Sequence, residues 1–307
     1  MFGTMDDDSY SRFDGAGTRA VESPWQGATF LPDLPRLEAM MSRCVTPDAT
    51  WVGQTAGAIG KGLDLWIADE LRRAGYEPDA VWPRADRPRV LPASSGRLLR
   101  RLPKSIRTAS GERMLTAPFA EKVRELAGQS TMAVQGEFFP KQVDVLVADW
   151  DRGVELMVST KSMTGSYGNN ITNRWEEFVG DLRNIRGRFP LATLGAFYLS
   201  DIGLVGEKDN FARLQEMLRR LRNKTESGAA YDATGLVLAN ASGAGKAELR
   251  MDQVPDDLRP GRFFEDLIRT AFERLPNSER AAARRMYGTK ELPTIEVTGI
   301  PDEIASN

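Results

Sequence analysis

Apolar residues recur along this chain in two patterns, one typical of helices and one typical of strands. The helical spacing of residues such as Ile59, Leu63 and Trp66 predicts an amphipathic helix. Helices are predicted over residues 56–74, 117–128, a segment that ends at Pro190, 208–223 and 261–274. Runs rich in β-branched and apolar residues predict strands over 131–138, 142–148, 154–160, 191–200 and 233–241.

The order of these elements indicates the fold class. The central order is helix, three strands, helix, strand, helix, strand, helix, which predicts an α/β fold with one mixed central sheet flanked by helices. Residues 1–50, rich in Asp, Gly, Ser and Pro, are expected to form an irregular N-terminal arm. We expect a core over residues 51–250, with an insertion near 84–116, and a C-terminal helix and tail over 251–307 that packs on this core.

Composition narrows the possible chemistry. The 307-residue chain is 41% hydrophobic and carries a net charge of −2, and it has no run of the roughly 20 apolar residues that a membrane helix needs. Its single cysteine, Cys44, fits a reducing cytoplasm. The chain has no histidine, which excludes Ser-His-Asp triads and His-bound zinc. Any metal would therefore have oxygen ligands, as magnesium or manganese prefers.

Polar residues interrupt two neighbouring predicted strands. Asp144 lies inside the apolar run 142–148, where an unpaired buried carboxylate would be costly. Ser159 and Lys161 share one face at the end of the next strand, because side chains alternate along a strand. If the two strands pair as a hairpin, Asp144 and Lys161 come together. A carboxylate, a hydroxyl and an ammonium group in one place are typical of metal-dependent hydrolysis.

These residues resemble a known family. The sequence Pro-Lys-Gln-Val-Asp at 140–144, followed by Ser-Thr-Lys at 159–161, is similar to the signature of the PD-(D/E)XK nuclease superfamily, in which Ser159 replaces the usual second acid. Restriction endonucleases that cut CCGG-containing sites have the same Ser-x-Lys variant and recover the acid from the following helix. The resemblance assigns that role here to Glu176, with Glu177 in reserve. It implies a restriction-endonuclease-like mixed sheet flanked by helices.

The resemblance also implies a cofactor and a reaction. Mg²⁺, or Mn²⁺, would be bound by Asp144, Glu176 and the backbone carbonyl of Thr160, and Lys161 would position the attacking water. A further acid is expected from Glu137, which is a better candidate than Glu70. The expected activity is a type II restriction endonuclease, acting as a homodimer, that cuts double-stranded DNA and leaves 5′-phosphates.

Several residues near this motif are candidates for DNA contact. Arg174 matches the guanine-reading arginine of the resembling enzymes. Clustered arginines beside the site would bind phosphates, and loop residues after the motif would contact bases or phosphates. The candidates are Ser162, Asn169, Asn170, Asn173, Arg174, Arg183, Arg186 and Arg188.

Two other functions remain open. The replacement of an acid by Ser159 is compatible with lost catalysis, in which case the protein would be a nuclease-like DNA-binding or assembly protein. It is also compatible with a repair or resolvase nuclease, which would prefer branched or damaged DNA.

Overall fold

The structure is a computed structural model. It describes residues 10–14, 22–52, 57–84, 89, 106–107, 113–115, 132–149, 153–223 and 229–275. The helix predicted over 117–128 lies outside these residues, as does most of the insertion predicted near 84–116. None of the helices within the described ranges is both long enough and apolar enough to cross a membrane.

Six α-helices are described. They are α1 (Leu34–Ser42), α2 (Ala58–Arg73), α3 (Tyr167–Arg188), α4 (Gly203–Gly206), α5 (Lys208–Arg222) and α6 (Pro260–Glu273). Helix α1 lies within the stretch for which an irregular arm was predicted. The carboxylate of Asp33 caps it by accepting a hydrogen bond from the Arg36 backbone N–H at 3.0 Å, and its apolar face is buried at Leu37, Met40 and Met41. Nine residues give too few turns for a clear helical period.

Twelve strands are described. They are β1 (Trp25–Gln26), β2 (Thr29–Phe30), β3 (Val81–Trp82), β4 (Ile106–Arg107), β5 (Arg113–Leu115), β6 (Met132–Gln135), β7 (Pro140–Val143), β8 (Val145–Asp149), β9 (Gly153–Met163), β10 (Thr193–Asp201), β11 (Ala233–Ser242) and β12 (Lys246–Leu249). Six of them form a central sheet in the order β12-β11-β10-β9-β8-β3. The strands β9, β10 and β11 are parallel and the other pairs antiparallel. The predicted α/β class with a mixed central sheet is confirmed.

The predicted hairpin is present, but its first strand is divided. Strand β8 pairs antiparallel with β9, from Val145 opposite Val158 to Asp149 opposite Gly153. The single strand predicted over 142–148 is instead two strands, since β7 pairs with β6 in a separate hairpin. The break falls at Asp144, whose carboxylate accepts the Thr160 backbone N–H at 3.0 Å. A side chain thus replaces a backbone carbonyl as the acceptor for β9 at this position.

Helices cover both faces of the sheet. On one face, Trp66 of α2 and Phe263 of α6 contact Phe197 of β10, with ring centroids 5.8 and 4.7 Å apart. On the other face, Phe178 of α3 lies 6.5 Å from the ring of Tyr198. Adjacent residues of β10 therefore contact opposite layers, as strand alternation requires, and the sheet is buried between α2 and α3.

Asp232 joins three elements at one end of this sandwich. Its carboxylate accepts hydrogen bonds from Arg186 of α3 at 2.9 Å and from Arg274 at 2.7 and 2.9 Å, as well as from the Leu194 backbone N–H at 2.8 Å. Arg186 also donates to the carbonyl of Ala192 at 2.6 Å. Its guanidinium is thus occupied within the fold, so nothing here supports its predicted contact with DNA.

Replacement of Asp232 should test this junction. Asp232→Ala leaves two largely buried guanidinium groups without their shared partner, and we expect it to lower the free energy of unfolding by about 3 kcal/mol. Denaturant unfolding measures the change. Asp252→Ala is the matched control, because Asp252 pairs with Arg250 on the surface, where such pairs contribute little to stability. If Asp232→Ala and Asp252→Ala lowered the free energy of unfolding equally, Asp232 would not be the stabilising junction of these elements.

Candidate functional site

A polar cavity of about 390 Å³ opens where the start of α2, the end of β9 and the start of α3 meet. The charged and hydroxyl side chains that line it come from distant parts of the chain. They are Lys61 and Asp64 of α2, Asp144 between β7 and β8, Thr160, Lys161 and Ser162 of β9, Thr164, and Arg174 of α3. The cavity therefore combines two carboxylates with three cationic side chains.

Asp64 is the most deeply buried of these charged groups, with a relative exposure of 1%. One carboxylate oxygen accepts the Thr160 hydroxyl at 2.5 Å. The other accepts the Lys61 ammonium at 3.1 Å and the Tyr10 hydroxyl at 3.3 Å. Helix α2 positions Asp64 toward β9 because its apolar stripe, which includes Leu63 and Ile67, packs on the sheet.

Burial and a neighbouring charge change the protonation of Asp64. Removal from water raises its pKa, and the negative charge of Asp144 raises it further; Lys61 and Thr160 act in the opposite direction, leaving the pKa at about 7. Burial also raises the pKa of Tyr10 far above its ordinary value, so its hydroxyl remains a donor. The negative charge of Asp144 thus lies close enough to disfavour ionisation of Asp64.

Thr160 connects both carboxylates. Its side chain donates to Asp64 and its backbone N–H donates to Asp144. The Thr160 side chain therefore faces α2, and Lys161, the next residue along the strand, faces α3. The side-chain alternation that was used to place Lys161 opposite Thr160 is present in the structure.

Lys161 is held by α3. Its ammonium lies 3.3 Å from the Glu177 carboxylate and 5.9 Å from the centroid of the Phe178 ring. Glu177 also accepts hydrogen bonds from Arg174 at 2.7 Å. Partial burial raises the pKa of Glu177, but Arg174 and Lys161 outweigh this effect and hold the pKa below its ordinary value. Glu177 is thus ionised and orients two cations that line the cavity.

The other predicted acids lie elsewhere. Glu176 is exposed on α3, and the reserve candidate Glu177 is the one beside Lys161. Glu137 lies in the β6–β7 turn, 4.0 Å from Arg183. Glu70 is fully buried and accepts the Asp33 backbone N–H at 3.1 Å, so it anchors the residue that caps α1. Within the described ranges, none of these four acids lines the cavity.

The remaining predicted contact residues divide into three groups. Ser162, Asn170 and Arg174 line the cavity. Exposed positions on α3 are occupied by Asn169, Asn173, Arg183 and Arg188. Ser159 lies outside the cavity, in a small interior space beside Tyr231.

Asp64 is the residue that the sequence analysis missed. A signal was present, since Asp64 lies three residues before Ile67 and seven before Leu71, within the apolar stripe of α2. An acid on a buried helix face is costly unless it is paired. That cost should have identified Asp64 in preference to Glu70.

The cavity offers oxygen donors for a cation. In the part of the chain that the structure describes, no cluster of three or more His, Cys, Asp or Glu side chains is arranged to hold a metal ion. Asp64 and Asp144 nevertheless face one cavity, and the charge of Asp144 raises the pKa of Asp64, an effect that a bound divalent cation would oppose. This donor set fits a hard cation such as Mg²⁺ or Mn²⁺.

The chain was compared with known proteins at the levels of family, sequence and structure. No family model, curated protein or solved structure matches it.

The raised pKa of Asp64 predicts a pH-dependent stability. An acid whose pKa rises from about 3.9 in the unfolded chain to about 7 in the folded one contributes stability below pH ~4 that is lost as the pH rises through ~7. Asp64→Asn should therefore raise the melting temperature relative to wild type at pH 8 by a few degrees more than at pH 5. Thermal unfolding at both values, without divalent ions, measures this difference.

The comparison of Asp64→Asn with wild type reports on the pKa of Asp64 alone. Burial also raises the pKa of Glu70 to about 7, but that contribution is the same in both proteins and cancels. A difference in melting temperature that does not change between pH 5 and 8 would contradict the raised pKa.

Proposed function

We propose that the protein is a divalent-metal-dependent endonuclease of the restriction type, which hydrolyses phosphodiester bonds in double-stranded DNA. The observation that carries the proposal is the convergence of Asp64, Asp144 and Lys161 on one cavity at the end of β9. The hairpin of β8 and β9 also places the strand that follows Asp144 beside the strand that carries Lys161. This arrangement supports the resemblance to the PD-(D/E)XK superfamily.

Mg²⁺ or Mn²⁺ would be held by Asp144 and Asp64, with the Thr160 carbonyl as the further ligand that the resemblance implies. Such a cation supplies charge neutralisation at the phosphate and lowers the pKa of bound water. In the structure, Asp64 is instead neutralised by the ammonium of Lys61 at 3.1 Å. Lys61 is thus a resident positive charge at the site.

The cationic side chains of the cavity suit a phosphodiester. Lys161, oriented by Glu177, would place and polarise the attacking water or stabilise charge that develops on the phosphate oxygens. Arg174 and Lys61 would attract and orient the phosphate. Attack on phosphorus with departure of the 3′ oxygen would leave a 5′-phosphate. Recognition of CCGG through Arg174, a homodimer matched to a palindromic site and a location in the cytoplasm are further parts of the proposal.

One observation favours a second function. The described part of the cavity supplies two carboxylates, and the oxygens of Asp64 are already bound by Lys61, Tyr10 and Thr160. A protein on this scaffold that binds DNA without cutting it would have such a site. Such a protein would bind duplex DNA in a salt-dependent way and would cut no DNA with Mg²⁺, Mn²⁺ or Ca²⁺. A repair or resolvase nuclease would instead cut branched DNA in preference to linear duplex.

Cleavage of supercoiled plasmid with Mg²⁺ tests the proposal. Asp144→Ala and Lys161→Ala should each lower the cleavage rate on the order of 10²-fold or more, because Asp144 would hold the cation and Lys161 would polarise the attacking water or stabilise charge on the phosphate oxygens. Asp252→Ala, an exposed acid in the chain segment before α6, is the control and should cut at the wild-type rate. Undiminished cleavage by Asp144→Ala would rule out the proposed site.

The two candidate acids of α3 can be separated in the same assay. Glu177→Gln should slow cleavage by about 10- to 100-fold, because Glu177 orients Lys161 and Arg174, and groups that orient site residues typically contribute that much. Glu176→Gln, which changes an exposed neighbour, should have little effect. A larger loss for Glu176→Gln would instead favour the ligand role that the resemblance implies for Glu176.

A further inference from the structure

The turn between β6 and β7 presents two adjacent phenylalanines to solvent. The relative exposure is 60% for Phe138 and 49% for Phe139. A single exposed apolar residue needs no explanation, but two adjacent rings form a small apolar surface that a partner can contact. Whether this exposure belongs to a loose loop or to a fixed surface depends on how the turn is held.

Asn184 of α3 fixes the turn. Its side chain is buried, with 1% exposure, and its oxygen accepts the backbone N–H groups of Phe138 and Phe139 at 2.9 and 3.3 Å. Its amide nitrogen donates to the Phe139 carbonyl at 3.1 Å, and its backbone carbonyl accepts the Glu137 N–H at 2.8 Å. A Cβ at Gly136 would lie 2.3 Å from that amide. The backbone that carries both rings is therefore rigidly anchored.

The charges beside the rings favour a negatively charged partner with planar groups. The Arg183 guanidinium lies 5.8 Å from the centroid of the Phe138 ring and is itself 57% exposed. It lies 4.0 Å from Glu137, so part of its charge is offset. Arg188 adds a second exposed cation, because it follows Gly187, whose Cα faces Glu137. Aromatic rings beside arginines are typical of surfaces on which nucleobases stack.

Two regular elements link this turn to the cavity. Strand β7 leads from Phe139 to Asp144, five residues that span about 16 Å. Helix α3 leads from Arg174, in the cavity, to Arg183, beside Phe138, and these nine residues span about 14 Å. At about 3.4 Å per stacked nucleotide, the rings lie about four to five nucleotides from the cavity.

The exposed area argues against a second copy of this chain. A phenylalanine buries on the order of 200 Å², so the two half-exposed rings offer about 200 Å² together. A stable interface needs about 800 Å² on each partner. Two rings of this size instead match one or two nucleobases.

We propose that Phe138 and Phe139 are a stacking platform for unpaired nucleobases, so that the nucleic acid substrate has an unstacked or extruded base about four to five nucleotides from the cleaved bond. This inference rests on the proposed nuclease function and specifies the class of its substrate.

Binding of fluorescein-labelled DNA to the full chain in EDTA, followed by anisotropy, tests the platform apart from cleavage. The probes are a paired duplex and the same duplex with a two-nucleotide bulge. Wild type should bind the bulged duplex about 5- to 150-fold more tightly, as expected when one base stacks on an aromatic side chain. The double variant Phe138→Leu/Phe139→Leu should lose this preference and bind the paired duplex as wild type does.

Two further variants act as controls. Phe138→Tyr/Phe139→Tyr retains the rings and should restore the preference, and Leu191→Ala, at an exposed apolar residue elsewhere (76% exposed), should leave it intact. An equal preference in the Phe→Leu variant would overturn the platform. A fall in molecular mass in the Phe→Leu variant, measured by light scattering, would show that the rings bind a second copy of this chain. That result would also overturn the platform.

The two proposals fail in different ways. If a ring-dependent preference for the bulge is found but no divalent ion supports cleavage, the platform stands and the nuclease fails. If Mg²⁺-dependent cleavage requires Lys161 and the preference is absent, the nuclease stands and the platform fails.

Discussion

The arrangement of the site depends on Thr160, which binds two carboxylates at once. Its hydroxyl donates to Asp64 at 2.5 Å and its backbone N–H donates to Asp144 at 3.0 Å. These hydrogen bonds connect α2, β9 and the junction of β7 with β8. Because Asp144 takes the place of a backbone acceptor, the strand divides there, and β7 leaves the central sheet to form the separate hairpin. The cavity and the direction of the hairpin therefore follow from one residue of β9.

Such an arrangement is electrostatically unfavourable on its own. Burial and Asp144 together raise the pKa of Asp64 to about 7, which means that the folded protein disfavours the ionised pair at neutral pH. Lys61, Tyr10 and Thr160 offset part of this cost by donating to Asp64. A carboxylate with a strongly raised pKa in an open polar cavity is typical of functional sites. A role that consists only of stabilising the fold would be served better by apolar side chains at these positions.

Periodicity in the sequence predicted strands β8 to β11 of the sheet and the helices that flank it, because apolar spacing reflects which face of each element is buried. It did not predict the edge strands β3 and β12, and the strand predicted over 131–138 corresponds to β6, which lies outside the central sheet. It placed Asp144 and Lys161 on neighbouring strands for the same reason. Periodicity did not reveal Asp64, because an acidic residue among the apolar positions of a helix weakens the helical pattern and does not by itself indicate a site. The resemblance favoured Glu176, whereas Glu177 is the acid beside Lys161. Periodicity could not separate the two, because a helix turns by about 100° per residue and the pattern does not fix its rotation against a sheet that closely. The contact of Tyr10 with Asp64 joins residues 54 positions apart, and local patterns carry no information on such pairs.

Helix α3 relates the cavity to the surface of the hairpin. In its first half, Glu177 pairs with both Lys161 and Arg174; near its end, Asn184 holds the β6–β7 turn. The buried Phe178 fixes the rotation of the helix against the sheet, so both ends are set by the same packing. Strand β7 forms a second connection from the turn to Asp144. The Arg174–Arg183 part of α3 and the stretch from Phe139 to Asp144 span about 14 and 16 Å, and together they hold the exposed rings at a fixed distance from the carboxylates.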